Sequence, residues 1–369
     1  MTAPCDVERI AVLRANRLGD LVLALPALDA LRAARPHAEI VLLGAGWHPE
    51  LLDGRPGPWD RVVVVPGSPG VRDADTTEHD PAAVEAFLAG QRRERYDLAV
   101  QLHGGGRSSN PFVRALGART SVGAHDRDAV PLDRSVPYSR HQHEVLRLLE
   151  VVGLAGAPVV GLEPRLALTG EDVRAARAAL TAAGLSAAGG PLVALHLGAS
   201  DPRRRWPAAR FAVVADVLAD AGAQVLLVGH GIEDARAAGR LAAAARTRPV
   251  DLVGRLGLHA LTGVLARCRL VVANDSGPRH LAAALGTPTV GIFLAANALN
   301  AGPLLASRSR VALSYRTACP VCGEDQRSSR CAHDASLVAD VEVDEVLELV
   351  GELFEGRLPA PTAVGRLGA

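Results

Sequence analysis

Residues 274–290 read NDSGPRHLAAALGTPTV. The apolar run RLVVA (269–273) leads into them, and TPTVGIF (287–293) carries on as a second apolar run. A short buried strand, a helix of small residues and another buried strand is the pattern of a parallel sheet. Asp275 or Ser276 suits the helix N-cap, Pro278 the first turn, and Gly286 followed by Pro288 the stop. These helix-forming roles leave Gly277 and His280 unexplained. Without a side chain, Gly277 lets the N–H groups of Ser276 and Gly277 approach an anion at the positive end of the helix. His280 lies three residues on, on the same helix face, within reach of the same anion.

The same alternation extends in both directions. RIAVLRA (9–15), AEIVLLG (38–44), DRVVVVPG (60–67) and YDLAVQLHG (96–104) read as strands of one region. PLVALHLG (191–198), AQVLLVG (223–229), VDLVG (250–254) and RLVVAND (269–275) belong to a second, with helical stretches between them. Short apolar strands separated by amphipathic helices predict parallel sheets covered on both faces. A chain of 369 residues, 49% hydrophobic and 22% charged, has enough apolar residues for two such cores. The expected division is an N-terminal domain over 1–165, a connecting helix and linker over 166–190, and a C-terminal domain over 191–340. A helix over 341–357 is expected to pack back on the first domain, and 358–369 to be a disordered tail. In doubly wound sheets ligands sit beyond the carboxyl ends of the strands.

The formal net charge is zero, so no whole-chain field recruits nucleic acid. All 40 basic residues are arginine, so any cationic contact falls to arginine or histidine. The N-terminus has no apolar stretch of signal-peptide length, and no run reaches the roughly 20 residues of a membrane span. The reading is a cytoplasmic protein, with association at the inner face of the membrane left open. Five cysteines, mostly clustered, do not suggest a disulfide framework.

Two more strand-end loops carry chemistry. After the first strand comes RANRLGD (14–20), where Asp20 reads either as a helix N-terminal carboxylate or as a catalytic base. No G-x-G-x-x-G accompanies it, which argues against hydride chemistry. After PLVALHLG comes ASDPRRRWP (199–207), with Ser200 as a hydroxyl donor and Arg203, Arg204 and Arg205 in succession. Arginine's planar fork matches phosphate oxygens, and Trp206–Pro207 anchors the turn. Together with Ser276, Gly277 and His280 they predict a diphosphate site.

CPVCGEDQRSSRCAH (319–333) sets Cys319, Cys322, Cys331 and His333 in a C-x2-C-x8-C-x-H pattern. Three thiolates and an imidazole make a tetrahedral zinc set of structural type, with no ligand position left open. The alternative is a loop of reduced cysteines. No D-x-D pair is read at a strand end.

The NDSGPRHLAAALGTPTV stretch resembles the signature of glycosyltransferase family 9, the heptosyltransferase-like enzymes, in which D-[ST]-G-x-x-H opens a small-residue helix. RANRLGDLVLALPALDALRAARPHAEI (14–40) and LHLGASDPRRRWPAARF (195–211) are similar to that family's other blocks, in the same order. The resemblance implies an α/β protein of GT-B fold, two Rossmann-like doubly wound domains facing across a cleft. It implies an inverting, metal-independent transfer of a heptose or related sugar. The donor is a nucleotide-diphosphate sugar, an ADP-sugar first, and the acceptor a hydroxyl of a glycan or lipid-linked molecule. It carries over Asp20 as general base, and Ser200, Arg204, Asp275, Ser276, Gly277 and His280 as donor-binding residues. No cofactor is implied for catalysis. Arg204 stands where the family often has lysine. Two departures stand out: Leu294-Ala295-Ala296 replace a Phe-Gly-Pro-Thr turn, and His196-Leu197-Gly198 stands where His-Pro-Gly is commoner. A nucleotide-sugar epimerase of the same fold, drawing on His103, and a non-catalytic nucleotide-sugar binder are the alternative readings.

Overall fold

The computed structural model describes residues 7–73, 79–186, 189–326 and 329–354. The chain divides into two compact units, Met1–Ala167 and Leu168–Ala369.

The first unit is built on strands β1 (Arg9–Leu13), β2 (Glu39–Gly44), β3 (Arg61–Val64), β4 (Leu98–Gln101), β5 (Thr120–His125) and β6 (Arg134–Pro137). Its helices are α1 (Leu18–Ala34), α2 (His48–Leu52), α3 (Pro81–Arg93), α4 (Ser109–Ala115) and α5 (Glu144–Gly153). The sheet runs β3-β2-β1-β4-β5-β6, every pair parallel. Val12 and Leu13 on β1 are fully buried, as expected of a central strand covered on both faces. Strands β5 and β6 escape the sequence reading because THR-SER-VAL-GLY-type runs such as TSVGAH (120–125) are mixed in polarity. One consequence is a correction. Asp126-Arg127-Asp128 does stand at a strand end, directly after β5. Both carboxylates are engaged by arginine, Asp126 with Arg140 at 3.3 Å and Asp128 with Arg107 at 4.0 Å.

The second unit opens with α6 (Gly170–Ala182). It continues through β7 (Leu192–His196), α7 (Ala208–Asp220), β8 (Gln224–Leu227), α8 (Gly231–Ala244), β9 (Val250–Asp251) and α9 (Leu258–Arg267). Then come β10 (Leu270–Asn274), α10 (Gly277–Ala284), β11 (Thr289–Leu294), α11 (Ala295–Ala301), β12 (Ser309–Ser314) and α12 (Val343–Leu353). The sheet order is β12-β11-β10-β7-β8-β9, again all parallel. Counted from its own first strand, this repeats the order of the first sheet. In each, the order reverses between the first and fourth strands, β1/β4 and β7/β10, which is where doubly wound folds place ligands.

Two expected assignments change. Helix α12 packs on the second unit's own sheet. Its Val346, Leu347 and Val350, with Phe354, join the core formed by β7, β10, β11 and α7, because its apolar stripe covers the face of the second sheet. The helix placed in the 166–190 linker is α6, packed along α9 within the second unit. Asp172 fixes it: fully buried, it caps the Thr169 N–H at 2.8 Å and meets His259 Nδ1 at 2.7 Å. The tail over 358–369 lies outside the described residues. Helix α10 begins and ends as the sequence anticipates: Ser276 is its N-cap, and Gly286 at φ +82° turns the chain out, with Thr287 N–H donating to Ala282.

Candidate functional site

At the carboxyl end of β1, Arg14 is 1% exposed and ties three segments together. Its Nε donates to the Asp20 carbonyl at 2.9 Å, its Nη1 pairs with Glu144 at 3.0 Å and donates to the Leu102 carbonyl, and its Nη2 lies 3.5 Å from the Asp20 carboxylate. The other Asp20 oxygen accepts from the Arg17 N–H at 3.2 Å, which caps α1. Asp20 still leaves 41% of its side chain to solvent, so its carboxylate is both held and reachable. Helix capping and a proton-accepting role are compatible here.

His103, at the end of β4, accepts from the Ala15 N–H at 3.4 Å. Burial, with Arg14 nearby, pushes its imidazole down from 6.5 to about 4. It is therefore neutral near pH 7, the wrong state for a cationic contact. The linkage has a definite sign. Between pH 6.5 and about 4 the unfolded chain takes up a proton that the folded chain refuses, so stability is intact above 6.5 and lost on the way down. The loss below that window is about 3 kcal/mol. Urea unfolding of the wild type and of His103→Gln at pH 7.5, 6 and 4.5 should show the wild type losing stability relative to the variant as pH falls. Parallel lines would mean that folding leaves the affinity of this ring for its proton unchanged.

The second unit gathers most of the expected donor residues at its own reversal point. Asn274, fully buried at the end of β10, donates to the Leu197 carbonyl at 2.7 Å and accepts from the Trp206 N–H at 3.0 Å. Trp206 in turn donates from Nε1 to the Val341 carbonyl at 2.9 Å and packs edge-on against Phe211. The loop after β7 is thereby fastened to the loop after β10, and the three arginines receive different tasks. Arg203 is locked on Asp201, and Arg205 pairs with Glu233 at 3.2 Å. Arg204 alone turns inward, with Nη1 on Asp275 at 2.6 Å and Nη2 on the Ser200 hydroxyl at 2.5 Å.

Asp275 is 4% exposed and accepts from three directions: Arg204, Asn297 Nδ2 at 3.2 Å and His280 Nε2 at 3.3 Å. Burial alone would raise its carboxyl, but the His280 hydrogen bond and the charges of His280, Arg204 and Arg279 hold it at about 2. His280 is itself buried and aimed at Asp275. Ser276 meets His196 Nδ1 at 2.9 Å, and the other nitrogen of that ring lies 3.3 Å from Asp234. Among the described residues the backbone N–H groups of Ser276 and Gly277 have no acceptor, and they stand at the positive end of α10.

Sequence reasoning missed several contributors. Arg14 and His196 lie inside the quoted blocks but were given no role at the site. Asp234 and Asn297 come from distant elements, with no local pattern to betray them. Asn297 exists at this place because the Leu294-Ala295-Ala296 departure starts α11 instead of an extended turn. Arg279 is the fifth omission. It is buried beneath α10, with its guanidinium 4.8 Å from the Phe293 ring, and among the described residues its Nε and Nη1 have no hydrogen-bond partner. Burial pushes it down to about 10, partly offset by Asp275.

Cys319, Cys322, Cys331 and His333 come together, their ligand atoms all within 4.8 Å of one another. That spacing suits one tetrahedral ion bound through thiolates and an imidazole. The remaining described cysteine, Cys268, is buried apart from them, and burial pushes its thiol up to about 12. The segment carrying the four ligands leaves β12 and returns to it, since the Ser314 hydroxyl donates to the Leu337 carbonyl at 2.6 Å.

Two doubly wound units with an anion-receptive helix end at the reversal point of the second are the architecture of GT-B glycosyltransferases, and the comparisons agree. Residues 86–333, more than half of the chain, match the model of glycosyltransferase family 9 (heptosyltransferase), and the chain belongs to that family. It is a glycosyltransferase. It is 29% identical to lipopolysaccharide heptosyltransferase 1 of Pseudomonas aeruginosa, over 85% of this chain and 86% of that protein. It is 24% identical to lipooligosaccharide heptosyltransferase 2 of Haemophilus ducreyi, over 76% and 81%. The solved structure of Escherichia coli ADP-heptose LPS heptosyltransferase II matches the fold with a TM-score of 0.71, at 22% identity, covering 94% of this chain and 98% of that one. No helix among the described residues is long and apolar enough to cross a membrane.

Proposed function

We propose that the protein transfers a heptose or related sugar, with inversion and without a catalytic metal, from an ADP-sugar to a hydroxyl of a lipopolysaccharide-type glycan acceptor. The observation that carries the donor half is the anion cradle at β7/β10: acceptor-less N–H groups of Ser276 and Gly277, with Arg204 and His280 converging on Asp275 behind them. A buried carboxylate is a poor ligand for a diphosphate. Asp275 therefore orients Arg204 and His280, while the helix end, Ser276, Ser200 and Arg204 meet the phosphates. As the anomeric bond breaks, the departing diphosphate gains negative charge, and fixed N–H dipoles and a guanidinium stabilise it, typically by a few kcal/mol per donor. This cationic set performs the neutralising task that Mg²⁺ serves elsewhere. Asp20 takes the acceptor proton. A carboxylate is a modest base and acts as the hydroxyl acidifies in the transition state. The nucleotide and sugar are suggested by the E. coli structure's name, and the acceptor by those of the curated relatives. An acceptor of that kind places the enzyme at the inner face of the membrane.

The test is a panel of nucleotide sugars assayed for nucleoside diphosphate release with and without lipid-linked heptose acceptors. Acceptor-dependent ADP release from an ADP-sugar is expected; release that needs no acceptor, or sugar isomerisation, would favour the epimerase reading. Arg204→Ala should weaken ADP binding by roughly 10- to 100-fold, the value of a charge-assisted hydrogen bond to phosphate, while leaving the fold intact. Calorimetric titration of ADP measures it directly, and an unchanged affinity would remove Arg204 from the phosphate site.

A further inference from the structure

Four side chains that can ligate a metal lie in one excursion of the second unit, and that excursion is bolted to the turn that presents Arg204. Gln326 is the bridge. Its Nε2 donates to the Cys331 sulfur at 3.4 Å, and its Oε1 accepts from Arg203 Nη1 at 2.7 Å. Arg203 and Arg205, on either side of Arg204, are held by the chain that follows His333. The Arg203 carbonyl accepts from the Leu337 N–H at 2.8 Å, and the Arg205 carbonyl from the Ser336 hydroxyl at 2.7 Å. Within the excursion, the Val321 N–H donates to the Cys319 sulfur at 3.4 Å, and the Cys319 N–H to the Glu324 carbonyl at 2.9 Å, so backbone also shapes the ligand pocket.

We infer that Cys319, Cys322, Cys331 and His333 bind one zinc ion, and that this ion, through Gln326 and Arg203, holds the turn that aims Arg204 at the donor diphosphate. Thiolates charged by metal binding are stronger acceptors than thiols, and such groups around a metal fix ligand orientation in both directions. Loading the ion therefore anchors Cys331, which fixes Gln326, which fixes Arg203. Emptying the site frees a long loop, and the entropy of that loop is released next to Arg204. The coupling is to donor affinity and involves no chemistry at the metal. It rests on the assignment of the donor site to this unit.

The experiment uses full-length protein purified without a histidine tag. Elemental analysis should give one zinc per chain, falling to none in Cys322→Ser/Cys331→Ser. Calorimetry with ADP as probe should show roughly tenfold weaker binding to chelator-treated protein, restored by added zinc, with far-UV circular dichroism unchanged. Gln326→Ala is the discriminating variant: it should retain its zinc yet bind ADP with the metal-free affinity, and that affinity should no longer respond to chelation. No stoichiometric metal in the wild type overturns the site. Zinc present with ADP affinity indifferent to its removal, or Gln326→Ala binding ADP as the wild type does, overturns the coupling and leaves the donor site standing. Failure of ADP to bind in any state overturns the donor assignment itself.

Discussion

Replacing Asp20 by Asn should lower kcat by two to four orders of magnitude while ADP binds as before. General-base catalysis is typically worth that much. Asparagine is the informative replacement because its side-chain oxygen can still accept from the Arg17 N–H, so the start of α1 keeps its cap. It also keeps the shape that Arg14 packs against, through an Nε bond that goes to the Asp20 carbonyl and is untouched by the change. Asp20→Ala loses the cap as well, at about 1 kcal/mol, and should look the same in kcat but less stable. Steady-state transfer kinetics beside ADP calorimetry separate the two roles. An Asn variant with wild-type kcat and an Ala variant that is merely less stable would leave Asp20 as a cap alone.

Asp275→Ala should be the most destabilising single change at the proposed donor site, at about 3–5 kcal/mol. Removing one partner of a buried ion cluster leaves the others uncompensated. Here those others are Arg204, His280 and Arg279, and among the described residues Arg279 already has two nitrogens without a hydrogen-bond partner. In a Trp47→Phe/Trp59→Phe background, Trp206 becomes the sole tryptophan, and its fluorescence in urea reports the second unit alone. Combining Asp275→Leu with Arg279→Met should recover much of the lost stability, because an apolar pair of similar volume removes both buried charges. It should not recover ADP binding, since Arg204 has lost the group that aims it. A double variant as unstable as Asp275→Ala would show that the two residues are not energetically paired.

The strands at the centres of the two sheets could be read from apolar runs such as RIAVL and LVVAN because residues buried on both faces leave an uninterrupted signal. Strands β5 and β6 could not, since TSVGAH (120–125) and RSVP (134–137) break any apolar run with polar residues, glycine or proline. Helix α12 shows a different limit. Its amphipathic stripe announces a buried face, yet nothing local says which sheet it covers. At the proposed donor site, the residues on one short loop drew notice because glycine, serine, proline and histidine at a helix start carry their chemistry in their order. Asp234, Asn297 and Gln326 did not, for each acts through a contact with a residue far along the chain, Asp234 with His196, Asn297 with Asp275 and Gln326 with Arg203, where only folding brings partners together. Arg279 looked like an ordinary helical arginine. Its burial follows from Gly291 on β11, where a Cβ would come within 2.9 Å of its side chain.

The hydrogen bond from Ser314 to Leu337 makes the cysteine-bearing excursion a closed detour whose entrance and exit lie side by side. A detour of that kind is a natural unit of gain and loss. Evolution can lengthen, trim or delete it without re-registering β12 or moving α12, because neither end has to travel. Relatives that dispense with it would keep the sheet and surrender only the contacts behind the arginine turn, so on the proposed coupling variation there tunes how tightly nucleotide is held and leaves the scaffold alone.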